Sequence, residues 1–157
     1  MRVLFLDFDG VLNSHAWMER QPPTTNFLRA VDPEAVARLA EVIRRTGARI
    51  VVSSTWRILN SLANLRGVLI EAGFPPPCPI IGATPRLHRT PEGAPRYRGH
   101  EIQQWLDEAG AEVQAFAIVD DDSDMVHLTP RLVQTNFERG LQDEHVEALV
   151  ALLLEGS

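Results

Sequence analysis

The stretch Arg2-Val3-Leu4-Phe5-Leu6-Asp7-Phe8-Asp9-Gly10 decides how the rest of the chain is read. Val3, Leu4, Phe5 and Leu6 run without polar interruption, as in a strand buried on both faces of a parallel sheet. The run then stops on two carboxylates, Asp7 and Asp9, and a glycine. An acid at the end of a buried strand needs a counter-charge, and a solvated turn supplies none. In open parallel sheets, ligands bind beyond the carboxyl ends of the strands. Chemistry-bearing residues should therefore follow the other apolar runs too.

They follow two of them. Residues 48–53 form a second buried strand centred on Ile50, Val51 and Val52, followed by Ser53, Ser54, Thr55 and Arg57. Residues 113–119 form a fourth that runs into Asp120, Asp121, Asp122 and Asp124. Residues 79–82 read as a short third strand and 132–134 as a fifth. Helical patterns lie between them. Asp32 and Pro33 open one with Val36, Leu39, Ala40 and Ile43 on one face, stopped by Gly47. Thr55 or Asn60 caps the next, whose face is Ile58, Leu62, Leu65 and Leu69 and whose end is Gly73. Another carries Ile102, Trp105, Leu106 and Ala109 and stops at Gly110; in the last, Asp143 caps a face of Val146, Leu149, Val150 and Leu153. The alternation predicts an α/β fold of three layers, a Rossmann-like parallel sheet with helices on both faces and right-handed crossovers. A length of 157 residues suits one domain, 1–157.

Composition removes several function classes. All fifteen cationic side chains are Arg, set against 21 acids for a net charge of −6. With no Lys in the chain, Schiff-base and Walker-type lysine chemistry are excluded. The single Cys78 excludes a disulfide framework and any multi-cysteine metal site. The acidic balance argues against broad, charge-driven nucleic-acid binding. The apolar run in Met-Arg-Val-Leu-Phe-Leu-Asp is too short for a signal peptide, and no run approaches the roughly 18 residues a membrane span needs. A soluble, cytoplasmic protein with no membrane partner is expected. Residues 84–100 are the one long irregular region. Their four arginines (Arg86, Arg89, Arg96, Arg98) against Glu92 offer a positive rim to an anionic substrate.

Carboxylates from the first and fourth strands, crowded at one sheet edge, repel and raise one another's pKa. A hard divalent cation such as Mg²⁺ resolves this with oxygen ligands, waters and a substrate phosphate. Neither a second cysteine nor paired histidines favour a softer metal. Ser53 and the backbone amides after it suit phosphate oxygens, and Arg57 could grip the same group bidentately. Metal on one side of a phosphoryl group, with hydroxyl and guanidinium on the other, is the equipment of phosphoryl transfer. One carboxylate can then attack as nucleophile while a second serves as general acid and base. His15 and Trp17, after the first motif, are candidate substrate contacts; Trp56 is expected to pack, with stacking on a base as the alternative.

Asp7-Phe8-Asp9-Gly10-Val11-Leu12-Asn13 resembles the first motif of the haloacid dehalogenase (HAD) superfamily, most of whose members are Mg²⁺-dependent phosphatases. Ile50-Val51-Val52-Ser53-Ser54-Thr55-Trp56-Arg57 resembles its second motif and Ala117-Ile118-Val119-Asp120-Asp121-Asp122 its fourth. The start, together with Arg98-Gly99-His100-Glu101-Ile102 and Trp105-Leu106, resembles the small domains associated with RNA-repair and polynucleotide kinase-phosphatase proteins. The resemblance implies strand order 5-4-1-2-3 and an aspartyl-phosphate intermediate. It assigns Asp7 as nucleophile and metal ligand, and Asp9 as general acid/base whose main-chain carbonyl also meets Mg²⁺. Ser53 and the Ser54 amide would bind phosphoryl oxygens, and Asp121 or else Asp120 would complete the metal site. The third motif is usually Lys; here Arg98 is the candidate, with Arg96 behind it. The two insertion points are too short for a cap domain, so the site stays open to a bulky substrate. A nucleic-acid terminal phosphate fits that opening, with a kinase or ligase as working partner. A nucleotidase for free nucleotides and a non-catalytic metal-binding interaction domain are the alternatives.

Overall fold

Side chains of β1 (Arg2–Leu6) alternate between two separate cores, which is why its sequence is apolar throughout. The computed structural model describes residues 1–156. β2 (Arg49–Val52), β3 (Ile80–Ala83), β4 (Ala115–Asp120) and β5 (Leu132–Gln134) join β1 in one sheet, ordered β3-β2-β1-β4-β5. Every neighbouring pair is parallel. β1 sits at the centre, and the order is the one the resemblance implied.

One core lies under Leu4, Leu6, Ile50, Val52, Ala117 and Val119. It is closed by α2 (Pro33–Thr46), α4 (Leu62–Glu71) and α6 (Asp143–Leu154), through residues such as Leu39, Leu69 and Leu149. The other lies under Val3, Phe5, Val51 and Ile118 and is closed by α5 (Arg98–Ala109) and the 3-10 turn Val126–Arg131. Phe5 meets Trp105 of α5 edge-on at 5.5 Å between ring centroids. α2 forms where its caps predict: Asp32 accepts a hydrogen bond from the Glu34 amide, Pro33 follows, and Gly47 ends the helix.

Three details differ from the sequence reading. A short helix, α1 (His15–Glu19), follows the first motif, capped by Ser14. The helix expected from Thr55 or Asn60 to Gly73 is two helices, α3 (Trp56–Leu59) and α4. Asn60 is extended, its side chain bonds back to the Trp56 carbonyl, and Ser61 caps α4 by accepting from the Asn64 amide. Ile58 consequently lies outside the buried face, and Trp56 is buried instead. At α6 the cap is Gln142, whose amide donates to His145 Nδ1, while Asp143 pairs with Arg38.

Between β1 and α2 there is only α1 with its flanking loop, and between β3 and α5 there is no regular element. No cap domain stands over the carboxyl edge of the sheet among the described residues. No helix among them is long and apolar enough to cross a membrane. Leu39 is fully enclosed between α2 and the sheet. Leu39→Ala should lower the unfolding free energy by about 2–5 kcal/mol, read as a reduced midpoint in urea at unchanged m.

Candidate active site

The sheet register sets a row of polar residues side by side. Leu6 pairs with Val52 and with Val119, and Val52 pairs with Ala83. The residues one step further are Thr84, Ser53, Asp7 and Asp120, and backbone bonds carry the ladder on to them. The Ser53 amide donates to Leu6 O at 2.9 Å, the Asp7 amide to Val119 O at 3.1 Å and the Thr84 amide to Val52 O at 3.0 Å. All four are buried, Ser53 at 0% and Asp120 at 1% exposure. Ser53 Oγ, Thr84 Oγ1 and Asp120 Oδ2 nevertheless have no hydrogen-bond partner. Buried polar atoms are nearly always satisfied, so orphans clustered at one edge mark a place where a ligand completes the bonding.

Asp7, Asp120 and Asp121 each bring a carboxylate oxygen to within 4.8 Å of the others. Gly10 makes this possible. Its φ of +78° suits glycine, and a Cβ there would fall on the Asp121 carboxylate. Thr135 Oγ1 donates to Gly10 O at 2.6 Å and fixes the turn. Burial pushes the Asp7 pKa up, against the pull of Arg98. Burial and then the Asp7 charge push Asp120 up further. Two such acids cannot both stay ionised without added positive charge. Three hard oxygen donors, one of them on an orphaned carboxylate, fit a divalent cation of the Mg²⁺ type. The Asp9 carboxylate is not in this group.

Arg98 faces the same acids, Nη1 donating to Asp7 Oδ1 at 3.3 Å and lying 3.4 Å from Asp120 Oδ2. The second approach is a charge contact without hydrogen-bond geometry, so Asp120 Oδ2 remains without a donor. Burial weakens the Arg98 charge, but Asp7, Asp120, Asp124 and Glu101 outweigh it and its pKa rises. Asp124 positions the helix that carries it: Oδ2 accepts from the Arg98 amide at 3.3 Å, and its carbonyl from the Gly99 amide at 3.1 Å. Gly99 is required there because a Cβ would collide with the Met125 carbonyl. Arg96 is exposed and its side chain makes no hydrogen bond or ion pair among the described residues.

Asp9 stands apart, exposed, with Oδ1 accepting from Asn13 Nδ2 at 3.0 Å and from Trp56 Nε1 at 3.2 Å. Trp56 packs on Phe8 with centroids 4.8 Å apart, so it holds Asp9 and is not free to stack on a substrate. His15 is engaged by Glu138 and Glu19. The supporting roles of Asn13, Trp56 and Asp124 escaped the sequence reading. Asn13 closes the first motif, Trp56 sits inside the second, and Asp124 ends the D-x-x-x-D pattern begun by Asp120.

Arg57 requires correction. Its five N–H groups meet Thr84 O, Ser53 O, Ser54 O, Pro85 O and Glu101 Oε2. With every donor engaged and the side chain only 6% exposed, Arg57 has no N–H group free to grip a phosphate. It braces the turn that carries Ser53 and Ser54, and Glu101 also accepts from the Leu87 amide at 2.9 Å. Ser54 Oγ accepts from the Trp56 amide at 3.2 Å, closing the turn into α3.

A central parallel sheet ending in a cation-compensated acid cluster, with no cap above it, defines a domain of the HAD type. A family model described as the HAD domain in Swiss Army Knife RNA repair proteins matches residues 3–146, and the chain belongs to that family. No curated protein and no solved structure matches it.

The acid repulsion is measurable. A carboxylate whose pKa is raised on folding binds more protons in the native than in the unfolded chain, so its contribution to stability falls as pH rises above about 4. Asp120→Asn should raise the Tm of the metal-free protein at pH 8, with the gain shrinking toward pH 4. The same variant should lose most of the Mg²⁺-induced rise in Tm shown by the parent, measured by calorimetry with EDTA and with excess Mg²⁺.

Proposed function

We propose that the chain is a Mg²⁺-dependent phosphomonoesterase that carries the phosphoryl group on Asp7 and acts on a terminal phosphate of a nucleic acid. The observation that carries this reading is the meeting of Asp7, Asp120 and Asp121 opposite Arg98, beside the orphaned hydroxyl of Ser53. Asp7, Asp120 and Asp121 would hold Mg²⁺ through carboxylates and Asp9 through its main-chain carbonyl. The bound ion supplies charge neutralisation for the acids and for phosphoryl oxygens.

The residues of the chain then divide the work. Ser53 Oγ and the Ser54 amide receive phosphoryl oxygens, while Arg98 balances the charge that Asp7 and the phosphate bring together. An Asp7 oxygen attacks phosphorus, the bond from phosphorus to the leaving oxygen breaks, and Asp9 delivers its proton to that oxygen. Asp9, now a carboxylate, takes a proton from water as the water attacks the phosphoryl group. The Asp7–phosphorus bond breaks and inorganic phosphate leaves. Asn13 and Trp56 hold one Asp9 oxygen, leaving the other for these transfers.

The family's RNA-repair description and the uncapped edge favour a polynucleotide end over a small metabolite. A kinase or ligase acting on the same ends is the partner this activity calls for. Asp7→Asn should abolish hydrolysis of an aryl phosphate in Mg²⁺, and Arg98→Ala should reduce kcat by on the order of 10²-fold while Arg98→Lys recovers much of it. Full turnover by a folded Asp7→Asn protein would overturn the mechanism. Faster turnover of a mononucleotide than of a phosphorylated oligonucleotide would make the protein a nucleotidase.

A further inference from the structure

An open cleft of about 510 Å³ lies beside Asp9, which forms part of its wall. Leu28 and Arg29 come from the loop before α2, Leu59 from α3, and Arg86 from the loop after β3. The volume falls in the range of small-molecule sites, roughly 300–1,000 Å³. Leu28 and Leu59 are 67% and 75% exposed, large apolar surfaces with nothing packed over them. Arg29 and Arg86 are exposed, and neither side chain makes a hydrogen bond or ion pair among the described residues. Asn26 lines the same cleft, its Oδ1 accepting from the Leu28 amide and its side-chain NH₂ without a partner.

Position gives the cleft its meaning. Asp9 is the group that protonates the leaving oxygen in the reading above, on which this inference rests, so the departing group lies on the Asp9 side of the phosphate. A polynucleotide offers, in fixed alternation, a ring with apolar faces and a singly charged phosphodiester. Apolar walls with two unpaired guanidinium groups suit that alternation. A phosphoserine or phosphothreonine peptide provides no flat ring next to its phosphate, and no phosphopeptide carries an obligatory second anion. We propose that the cleft binds the nucleoside bearing the scissile phosphate, its base between Leu28 and Leu59, with the next phosphodiester on Arg29 and Arg86. The domain thereby selects an oligonucleotide end over the corresponding mononucleotide. The Asn26 amide donates to the base edge or the ribose.

Calorimetric binding to Asp7→Asn protein in Mg²⁺ tests this without turnover. The probes are a trinucleotide with a 3′-phosphate, its 5′-phosphate isomer, the matching mononucleotides and a phosphoserine tripeptide. One trinucleotide should bind at least tenfold more tightly than its mononucleotide. Adding Arg29→Ala and Arg86→Ala should bring that ratio close to one. The slope of log K against log salt should flatten by about 0.7, one phosphate contact on a single strand. A ratio near one in the parent, a ratio unmoved by the arginine substitutions, or tighter binding of the phosphopeptide would each overturn the proposal. Failure of the catalytic reading would appear separately, as no aryl phosphate hydrolysis by the unsubstituted protein, with the binding ratios still measurable.

Discussion

Two carboxylates buried side by side on adjacent central strands are the constraint around which this domain is arranged. Asp7 and Asp120 leave the sheet almost wholly buried, and in a poorly polarisable interior their repulsion is several times what it would be at the surface. Each neighbour bears on that repulsion. Gly10 gives up a side chain so that a third acid can approach; Asp124 and Gly99 seat the start of α5 so that Arg98 reaches in. An isolated buried pair of acids would favour unfolding. A cluster that opposes a fixed guanidinium and leaves an oxygen without a donor instead has the donor set a divalent cation could fill.

The cation side is built without lysine and uses arginine for two different tasks. Arg98 acts as charge between two acids. Arg57 acts as scaffold, its planar fork tying two segments, the turn after β2 and the loop after β3, and Glu101 into one unit behind Ser53 and Ser54. A lysine ammonium, with three donors and no plane, could not make those five contacts at once. The two arginines meet through α5, since Arg98 opens that helix and Glu101 lies one turn along it. Displacement of α5 would loosen the turn carrying Ser53 and withdraw the charge from Asp7 in the same motion.

The fold was legible because each strand is an uninterrupted apolar run ended by a polar residue, and periodicity separates the helices from them. The strand ends gave Asp7, Ser53 and Asp120 directly, since register in a parallel sheet brings equivalent ends together. Arg57 was misread because charge type and proximity in sequence do not say which way a guanidinium turns. Five carbonyl and carboxylate acceptors, up to 44 residues away from Arg57 in the sequence, decided that. Trp56 was equally opaque, since its ring packs on Phe8 while its N–H holds Asp9, and no linear pattern records a contact between residues 47 apart. The break at Asn60 and Ser61 turned on side-chain bonds to backbone, which outweighed an apolar spacing that continued across them.

The uncovered edge separates two kinds of residue. Asp7, Ser53 and Asp120 sit on strand ends, locked by the register of the sheet and by burial. Those of the cleft sit on surface segments that come from three places and bear almost none of the core. Leu28, Leu59, Arg29 and Arg86 can therefore change identity, or their loops change length, with little disturbance to the acids at the strand ends. In such a domain the surface segments are free to diverge quickly while the acid cluster stays still, and rim residues are where related chains should differ first.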